Sequence, residues 1–368
     1  VGAVGADDRR WMAAALTLAA RSRGRTAPNP NVGCVIVLNG RVVGRGWTQP
    51  GGRPHAEAMA LAEAGDAARG ATAYVTLEPC AHESARGPAC ASLLVAAGVA
   101  RVVAALRDPD PRTDGDGFRR LRAAGIAVAD GVGGDDARRS MAGFLTRRRL
   151  GRPFVTLKLA TSLDGRIALP DGASRWITGP ESRAHAHLER SRHEAILVGR
   201  RTWDADRPAL DVRLPGLAAR SPLRVVLSST RSDVIPADAG THGSGMAGGE
   251  STPPSVGPSV RRDDEGLADD GLGSVVVIPS PHAIASLPGD HILVEGGAGT
   301  AAAFLAADLV DRLLLYRAPV IVGAGLAAIG DIGLTDLAAA HGRWRCIDAR
   351  PLGSDRLEVY ERILCSPA

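Results

Sequence analysis

Two rhythms of apolar and polar positions run through the chain, and they predict alternating helices and strands. The stretch "RRWMAAALTLAARSRG" carries the helical rhythm, with Asp7 or Asp8 as the expected cap. "VGCVIVLNGRVVGRG" reads as a buried strand, an Asn39-Gly40 type I′ turn and a second strand. A helix is expected over 55–64. "ATAYVTLEP" is a strand halted by Pro79, "PACASLLVAAG" a helix closed by Gly98, and "ARVVAAL" the next strand. "FRRLRAAGIAV" repeats helix, glycine and strand. Residues 131–152 hold a Gly-rich turn, a short helix and the basic run "TRRRLGRP", which reads as a solvated linker.

The second half opens with "PFVTLKLATSLDG", a strand ending in a loop. A helix over 181–192 leads to strand "EAILVG"; "PLRVVLSS" and "SVVVIP" are further strands. "HILVEGG" is a strand, "AGTAAAFLAA" a helix and "RLLLYRAPVIVG" a long strand, with two more strands near 343–348 and 356–363. Residues 231–273 are rich in Gly, Ser, Pro and Asp and read as a flexible insertion. The pattern predicts layered α/β structure in two domains, 1–150 and 151–368. A length of 368 residues agrees with two cores.

Composition narrows the function. The net charge of +4 and an aromatic share of 3% argue against a nucleic-acid coat or a base-stacking surface. The 45 glycines and 24 prolines exceed the usual combined share of roughly 12% without reaching disordered levels. No apolar run reaches the ~18 residues of a membrane span. The first helix is not a signal peptide, because acids precede it and arginines follow. A cytoplasmic location is expected, so the five cysteines are not a disulfide framework.

Two short segments carry candidate chemistry. "PHAEAMAL" places His55 at a helix start with Glu57 two residues on, and "TLEPCAHESARGPAC" adds Cys80 and Cys90. One nitrogen and two sulfurs are the three protein ligands of a catalytic zinc that keeps one position for water. A helix N-terminus favours the thiolate that zinc needs. Glu57 is then a carboxylate beside the metal that does not bind it. The order resembles the zinc-deaminase signature H-x-E…P-C-x-x-C, a matched pattern from which the chain departs by carrying nine residues between its cysteines. Zinc lowers the pKa of a bound water toward neutrality. Glu57 is the candidate shuttle from that water to the ring nitrogen and the departing amine. His82, within the loop between the cysteines, is a candidate substrate contact rather than a fourth ligand.

The segments "APNPNVGCVIV", "PHAEAMAL", "TLEPCAH", "AAGVARVVAALRDPDP", "KLATSLDGRIA" and "SRWIT" together resemble the bifunctional deaminase–reductases of riboflavin biosynthesis. The resemblance spans nearly the whole chain outside 231–273. It implies a cytidine-deaminase-like α/β/α domain followed by a dihydrofolate-reductase-like α/β domain. It also implies zinc, NADPH and a phosphorylated pyrimidine substrate. The first domain would remove the 2-amino group of a phosphoribosylamino-diaminopyrimidinone, and the second would reduce the ribosyl unit to ribityl.

Carried over, the family's zinc ligands fall on His55, Cys80 and Cys90, and its proton shuttle on Glu57. Asn29 and Asn31 fall where the family contacts the pyrimidine, Arg86 near the phosphate, and Asp108 at a substrate-binding acid. Lys158 matches the basic residue beside the reacting sugar. Ser174, Arg190, Leu210, Arg213 and Glu295 match substrate positions. Ala160, Trp176, Thr202 and Asp206 match NADPH positions, as does the loop Gly297-Ala298-Gly299-Thr300. That loop reads independently as a strand-to-helix turn open to a phosphate.

The chain departs from the family at several points. Nine residues separate Cys80 from Cys90, one more than the family pattern. Asp110 replaces a usual Asn, placing a carboxylate near a phosphate. Arg207 and Asp211 are unusual in their loop, and "GRRTW" replaces a more Gly-rich turn. Two rival functions share the zinc donors. One is a deaminase of nucleic-acid or free bases with a degenerate second domain, and the other is a non-enzymatic zinc protein. A small-molecule substrate, no nucleic-acid partner, no membrane and a homo-oligomeric state are expected.

Overall fold

The computed structural model describes residues 5–83, 86–229 and 275–363. The insertion expected at 231–273 and Cys365 lie outside these residues. Asn39 and Gly40 adopt φ of 50° and 73°, as a type I′ turn requires. They join β1 (Gly33–Leu38) to β2 (Arg41–Trp47). Both follow α1 (Ala6–Ala19). That helix begins one residue before Asp7, with Gly5 as its cap. Asp8 therefore sits inside the first turn, where its carboxylate accepts the Gly5 N–H (3.2 Å) and pairs with Arg101 (2.7 Å).

The first half continues through α2 (Ala56–Ala64), β3 (Thr72–Val75), α3 (Cys90–Ala97), β4 (Arg101–Ala104), α4 (Asp116–Ala123) and β5 (Ala127–Ala129). The sheet order is β2-β1-β3-β4-β5, with β1 antiparallel to both neighbours and β3, β4 and β5 parallel. β1 is buried at every position but its last, as befits a strand covered on both faces. The close fit of α2 on this sheet depends on small residues. A Cβ at Gly44 or Gly46 would overlap the carbonyl oxygens of Ala60 and Ala56.

The expected single helix near 131–152 is two, α5 (Gly134–Ser140) and α6 (Ala142–Leu150). The basic run is not a solvated linker either. It forms the last turns of α6, and Arg147 donates to the carbonyls of Ala285 (3.0 Å), Leu287 (2.9 Å) and Gly289. Three converging carbonyls satisfy a half-buried guanidinium that open water would otherwise claim. At the same seam, a Cβ on Gly143 would lie 2.5 Å from the His291 ring. Arg152 grips Asp311 through two bonds (2.6 and 2.9 Å). Breaking such a near-buried pair costs about 3–5 kcal/mol.

The second half runs β6 (Phe154–Thr161), β7 (Arg166–Ala168), α7 (Pro180–Arg190), β8 (Ala195–Gly199), α8 (Arg200–Asp206), β9 (Leu223–Leu227), β10 (Val275–Ile278), β11 (His291–Val294) and α9 (Ala298–Ala306). It ends with β12 (Arg312–Arg317), β13 (Leu326–Ala327), β14 (Trp344–Leu352) and β15 (Asp355–Arg362). Eight strands form one sheet, β10-β9-β8-β11-β6-β12-β15-β14. The strands from β10 through β12 are parallel, and β15 with β14 completes the sheet antiparallel. Two sequence expectations change. The "GRRTW" turn is the start of α8, and the long strand from Arg312 stops at Arg317, two residues before Pro319, which cannot donate to a ladder.

His193 is buried where this half meets the loop after α1. As a neutral ring it donates from Nδ1 to the Glu189 carbonyl (2.7 Å) and accepts at Nε2 from the Thr156 hydroxyl (3.1 Å). Burial, aided by Arg23, pushes its pKa from 6.5 down to about 4. A depressed histidine contributes stability above its unfolded pKa and loses it on acidification. The wild-type advantage over His193→Gln is therefore full above pH 6.5. It shrinks by on the order of 3 kcal/mol as the pH falls toward 4. Urea unfolding of both proteins across that range measures it, and a pH-independent difference would contradict the assignment.

Candidate active site

Three elements deliver the metal donors. His55 is the N-cap of α2, Cys90 opens α3, and Cys80 follows β3 in a loop. The His55 Nδ1 lies 3.4 Å from the Cys90 sulfur and 3.7 Å from the Cys80 sulfur. All three ligand atoms fall within 4.8 Å of one another. Tetrahedral zinc, with bonds of about 2.0 Å to nitrogen and 2.3 Å to sulfur, asks for nitrogen–sulfur separations of ~3.5 Å. These residues could hold zinc, and the longer cysteine loop closes without difficulty. Among the described residues they form the sole cluster of three or more such donors.

The two thiols differ in their bias toward ligation. A hydrogen bond from the Cys90 side chain, with His55 and the Cys90 N–H (3.3 Å) behind it, holds the Cys80 thiol far below its usual value. Cys90, as the donor of the pair, is pushed up. Glu57, in the first turn of α2, is 4% exposed. Burial raises its carboxyl to about 7, against the opposing pull of His55. A carboxyl near neutrality suits a group that must both take and return a proton.

The pocket beside this cluster gathers Asn29, Glu57, His82, Arg86 and Asp108. The Asn29 amide donates to the Gly52 carbonyl (2.7 Å) and lies 3.3 Å from His55 Nε2, on the far side of the ring from the sulfurs. The His82 ring stands 3.4 Å from the Thr113 hydroxyl, and Arg86 donates to the Gly51 carbonyl (2.6 Å). Burial lifts Asp108 to about 6. Glu78 accepts the N–H groups of Asp108 (3.2 Å), Gly115 (3.0 Å) and Phe118 (3.1 Å), tying this loop to the strand end that carries Cys80.

Asn31 is a correction. It is buried away from the pocket lining, its amide donating to the Ala19 carbonyl (3.3 Å) and the Ser140 hydroxyl (3.2 Å). It joins α1 to α5. Asp110 corrects a second expectation. Its carboxylate is paired with Arg112 (2.6 Å) and Arg148 (3.1 Å), so it presents no bare negative charge. Arg112 above all holds it well below the usual range.

A second pocket opens where β6, β11 and β12 bring Lys158, Glu295 and Tyr316 together. Ligand crevices in such sheets form beyond the strand carboxyl ends. Glu295 receives two bonds from Arg190 (2.8 and 2.9 Å), with Lys158 at 3.7 Å. Burial would raise this carboxyl, but Arg190 and Lys158 outweigh it and hold it at about 2. Arg213 and Trp176 also line the pocket. The Arg183 guanidinium sits 4.7 Å from the Trp176 ring.

The cofactor positions cluster at the mouths of two neighbouring helices. Thr300 in α9 faces Gly199 before α8, and Thr202 in α8 faces Gly297 before α9. Gly297, Ala298 and Gly299 thus form a helix start that could meet a phosphate. Ala160 lies on β6 opposite Tyr316, and Asp206 is the exposed end of α8. Two expected substrate positions fall elsewhere. Ser174 is exposed and outside the pocket lining. Leu210 is buried among Ile196, Val198, Trp203, Val226 and Leu293. An apolar side chain there gains more from that core than from a polar pocket.

Arg183, His187 and Tyr316 line the second pocket and were not anticipated. Arg183, His187 and Arg190 share one face of α7 at helical spacing, the signal that would have shown two of them. Arg53, Arg112 and Arg148, in the first pocket, carried no such signal.

Residues 6–106 match the cytidine and deoxycytidylate deaminase zinc-binding region, and residues 153–357 match the RibD C-terminal domain. The riboflavin biosynthesis protein RibD of Escherichia coli K12 is 41% identical over 364 residues, covering 95% of this chain and 97% of that protein. Its Aquifex aeolicus counterpart is 39% identical over 96% of this chain and 98% of its own length. The solved Acinetobacter baumannii RibD, form 1, superposes with a TM-score of 0.76 at 33% identity, covering 97% and 99% of the two chains. A Thermotoga maritima diaminohydroxyphosphoribosylaminopyrimidine deaminase/5-amino-6-(5-phosphoribosylamino)uracil reductase gives 0.78 at 30% identity, over 97% and 99%. With both halves matched in order and nearly to full length, the chain belongs to the RibD family, the zinc-dependent deaminases and NADPH-dependent reductases of riboflavin biosynthesis.

Proposed function

We propose that the two pockets act in turn on one phosphorylated pyrimidine. The first converts 2,5-diamino-6-(5-phosphoribosylamino)pyrimidin-4-one and water to the uracil and ammonia. The second reduces the ribosyl side chain of that product to ribityl. The observation that carries this reading is the convergence of His55, Cys80 and Cys90 beside buried Glu57. The domain division at about residue 150 belongs to the same proposal, supported by one sheet within 33–129 and the other within 154–362.

Zinc, when held by His55, Cys80 and Cys90, supplies a water acidified toward neutrality. Glu57 would move two protons in turn, the first from the water to the ring nitrogen and the second from the new hydroxyl to the amine, which leaves as ammonia. Asn29, His82 and Arg86 orient the ring and its phosphorylated arm, and Asp108 accepts from the substrate once ionised. In the second pocket NADPH supplies the hydride. Lys158 and Arg190, fixed by Glu295, hold the sugar while Arg213 faces its phosphate. Trp176, Thr202 and the start of α9 seat the cofactor.

Self-assembly and a cytoplasmic location complete the proposal. Leu163, Val320, Ile321, Leu334 and Leu337 are exposed apolar side chains of the second half, a composition that suits contact with another copy. The four described cysteines are free, and none of the described helices is long and apolar enough to cross a membrane.

Elemental analysis and a two-stage assay, with and without NADPH, test the whole. Cys90→Ser should abolish stoichiometric zinc and ammonia release while leaving NADPH-dependent reduction of the deaminated substrate intact. Glu57→Gln should keep its zinc and lose deamination by about 10²–10⁴-fold; ammonia release at the wild-type rate would remove Glu57 from the mechanism. Trp176→Ala should weaken NADPH binding about tenfold with deamination unchanged, and an unaltered affinity by titration would displace the cofactor from this wall.

A further inference from the structure

The ion cluster at Asp110 is used by nothing derived so far. Asp110 is nearly buried, its side chain 8% exposed, while Arg112 and Arg148 above it are 60% and 41% exposed. Arg112 holds both carboxylate oxygens, Oδ1 through Nε (3.0 Å) and Oδ2 through Nη2 (2.6 Å). Arg148 reaches Oδ2 through Nη2 alone (3.1 Å). Its guanidinium lies 5.4 Å from the Phe144 ring, which also lines the pocket. Two guanidiniums on one carboxylate leave a net positive charge facing the cavity. Among the described residues, Nε and Nη1 of Arg148 have no hydrogen-bond acceptor, which leaves donors free for an anion.

The two arginines come from different places. Arg112 belongs to the loop that Glu78 ties down, and Arg148 to α6. The preceding residue, Arg147, is anchored on the carbonyls at 285–289 of the second half. Arg148 is thus held at the pocket by a helix fixed from its other side.

Resting on the deaminase reading above, we propose that Arg148 is a specificity-determining contact for the substrate's phosphate in the first pocket, with Asp110 as the positioning residue that aims it and Arg112. A guanidinium binds a phosphate dianion through paired, charge-assisted bonds. A carboxylate beneath two guanidiniums fixes their direction and reduces the entropy each loses on binding. The acid at 110 therefore serves the phosphate instead of repelling it.

The test uses the full-length, zinc-loaded protein. Steady-state deamination is measured on the phosphorylated diaminopyrimidine and on the same compound after phosphatase treatment. Arg148→Met should raise KM for the phosphorylated form at least tenfold, with kcat within twofold and the dephosphorylated form unaffected. Arg148→Lys should recover part of the loss. Asp110→Asn should raise KM in the same direction, and the double variant should be no worse than Arg148→Met alone. Equal KM changes for both substrates, no change for either, or a lower KM in Asp110→Asn would overturn the proposal. Zinc content and NADPH-dependent reduction report whether each variant is folded. A wild-type protein that releases no ammonia would refute the deaminase reading itself, whereas a normal wild type with an unselective Arg148→Met refutes this inference alone.

Discussion

The backbone of α2 lies against β2 at a distance no ordinary side chain permits. Gly44 and Gly46 supply one surface, and Ala56 and Ala60 the other. This contact sets the height of the helix above the sheet, and so where its first turn ends. His55 caps that turn toward the sulfurs, and Glu57 points into the interior two residues later. Move the helix outward by one methyl group and the nitrogen leaves the two sulfurs. The metal chemistry thus begins with an absence of side chains on a strand some ten residues earlier in the sequence.

The two pockets handle buried charge in opposite ways. In the first, burial prevails at Glu57 and Asp108, raising both carboxyls to where protons can come and go. In the second, Arg190 and Lys158 overcome burial at Glu295 and keep it ionised. The two chemistries differ in kind, since deamination proceeds by proton transfer and reduction aligns a donor carbon with an acceptor.

Much of this was legible in the sequence, for reasons that are local. The Asn39-Gly40 turn, the α3 stop at Gly98 and the donor set His55, Cys80 and Cys90 are each fixed by a few adjacent residues. What escaped depends on partners far along the chain. Asn31 resembles a ring contact until Ser140, more than a hundred residues away, is seen to take its amide. Leu210 belongs to a small side core assembled from three strands and α8. The meaning of Asp110 depends on Arg148 in another element, and no spacing rule links 110 to 148. The helix over Arg200–Asp206 was hidden because its first turn lacks the usual capping side chain.

The seam built on Arg147 and Gly143 bears on how such a chain evolves. Cutting it near Gly151 would leave the carbonyls of Ala285, Leu287 and Gly289 without their donor and the His291 ring without the backbone of α6 that packs against it. No single substitution repairs all of that. Separating the halves therefore takes several coordinated changes, so the join acts as a ratchet: easily tightened by selection and hard to release.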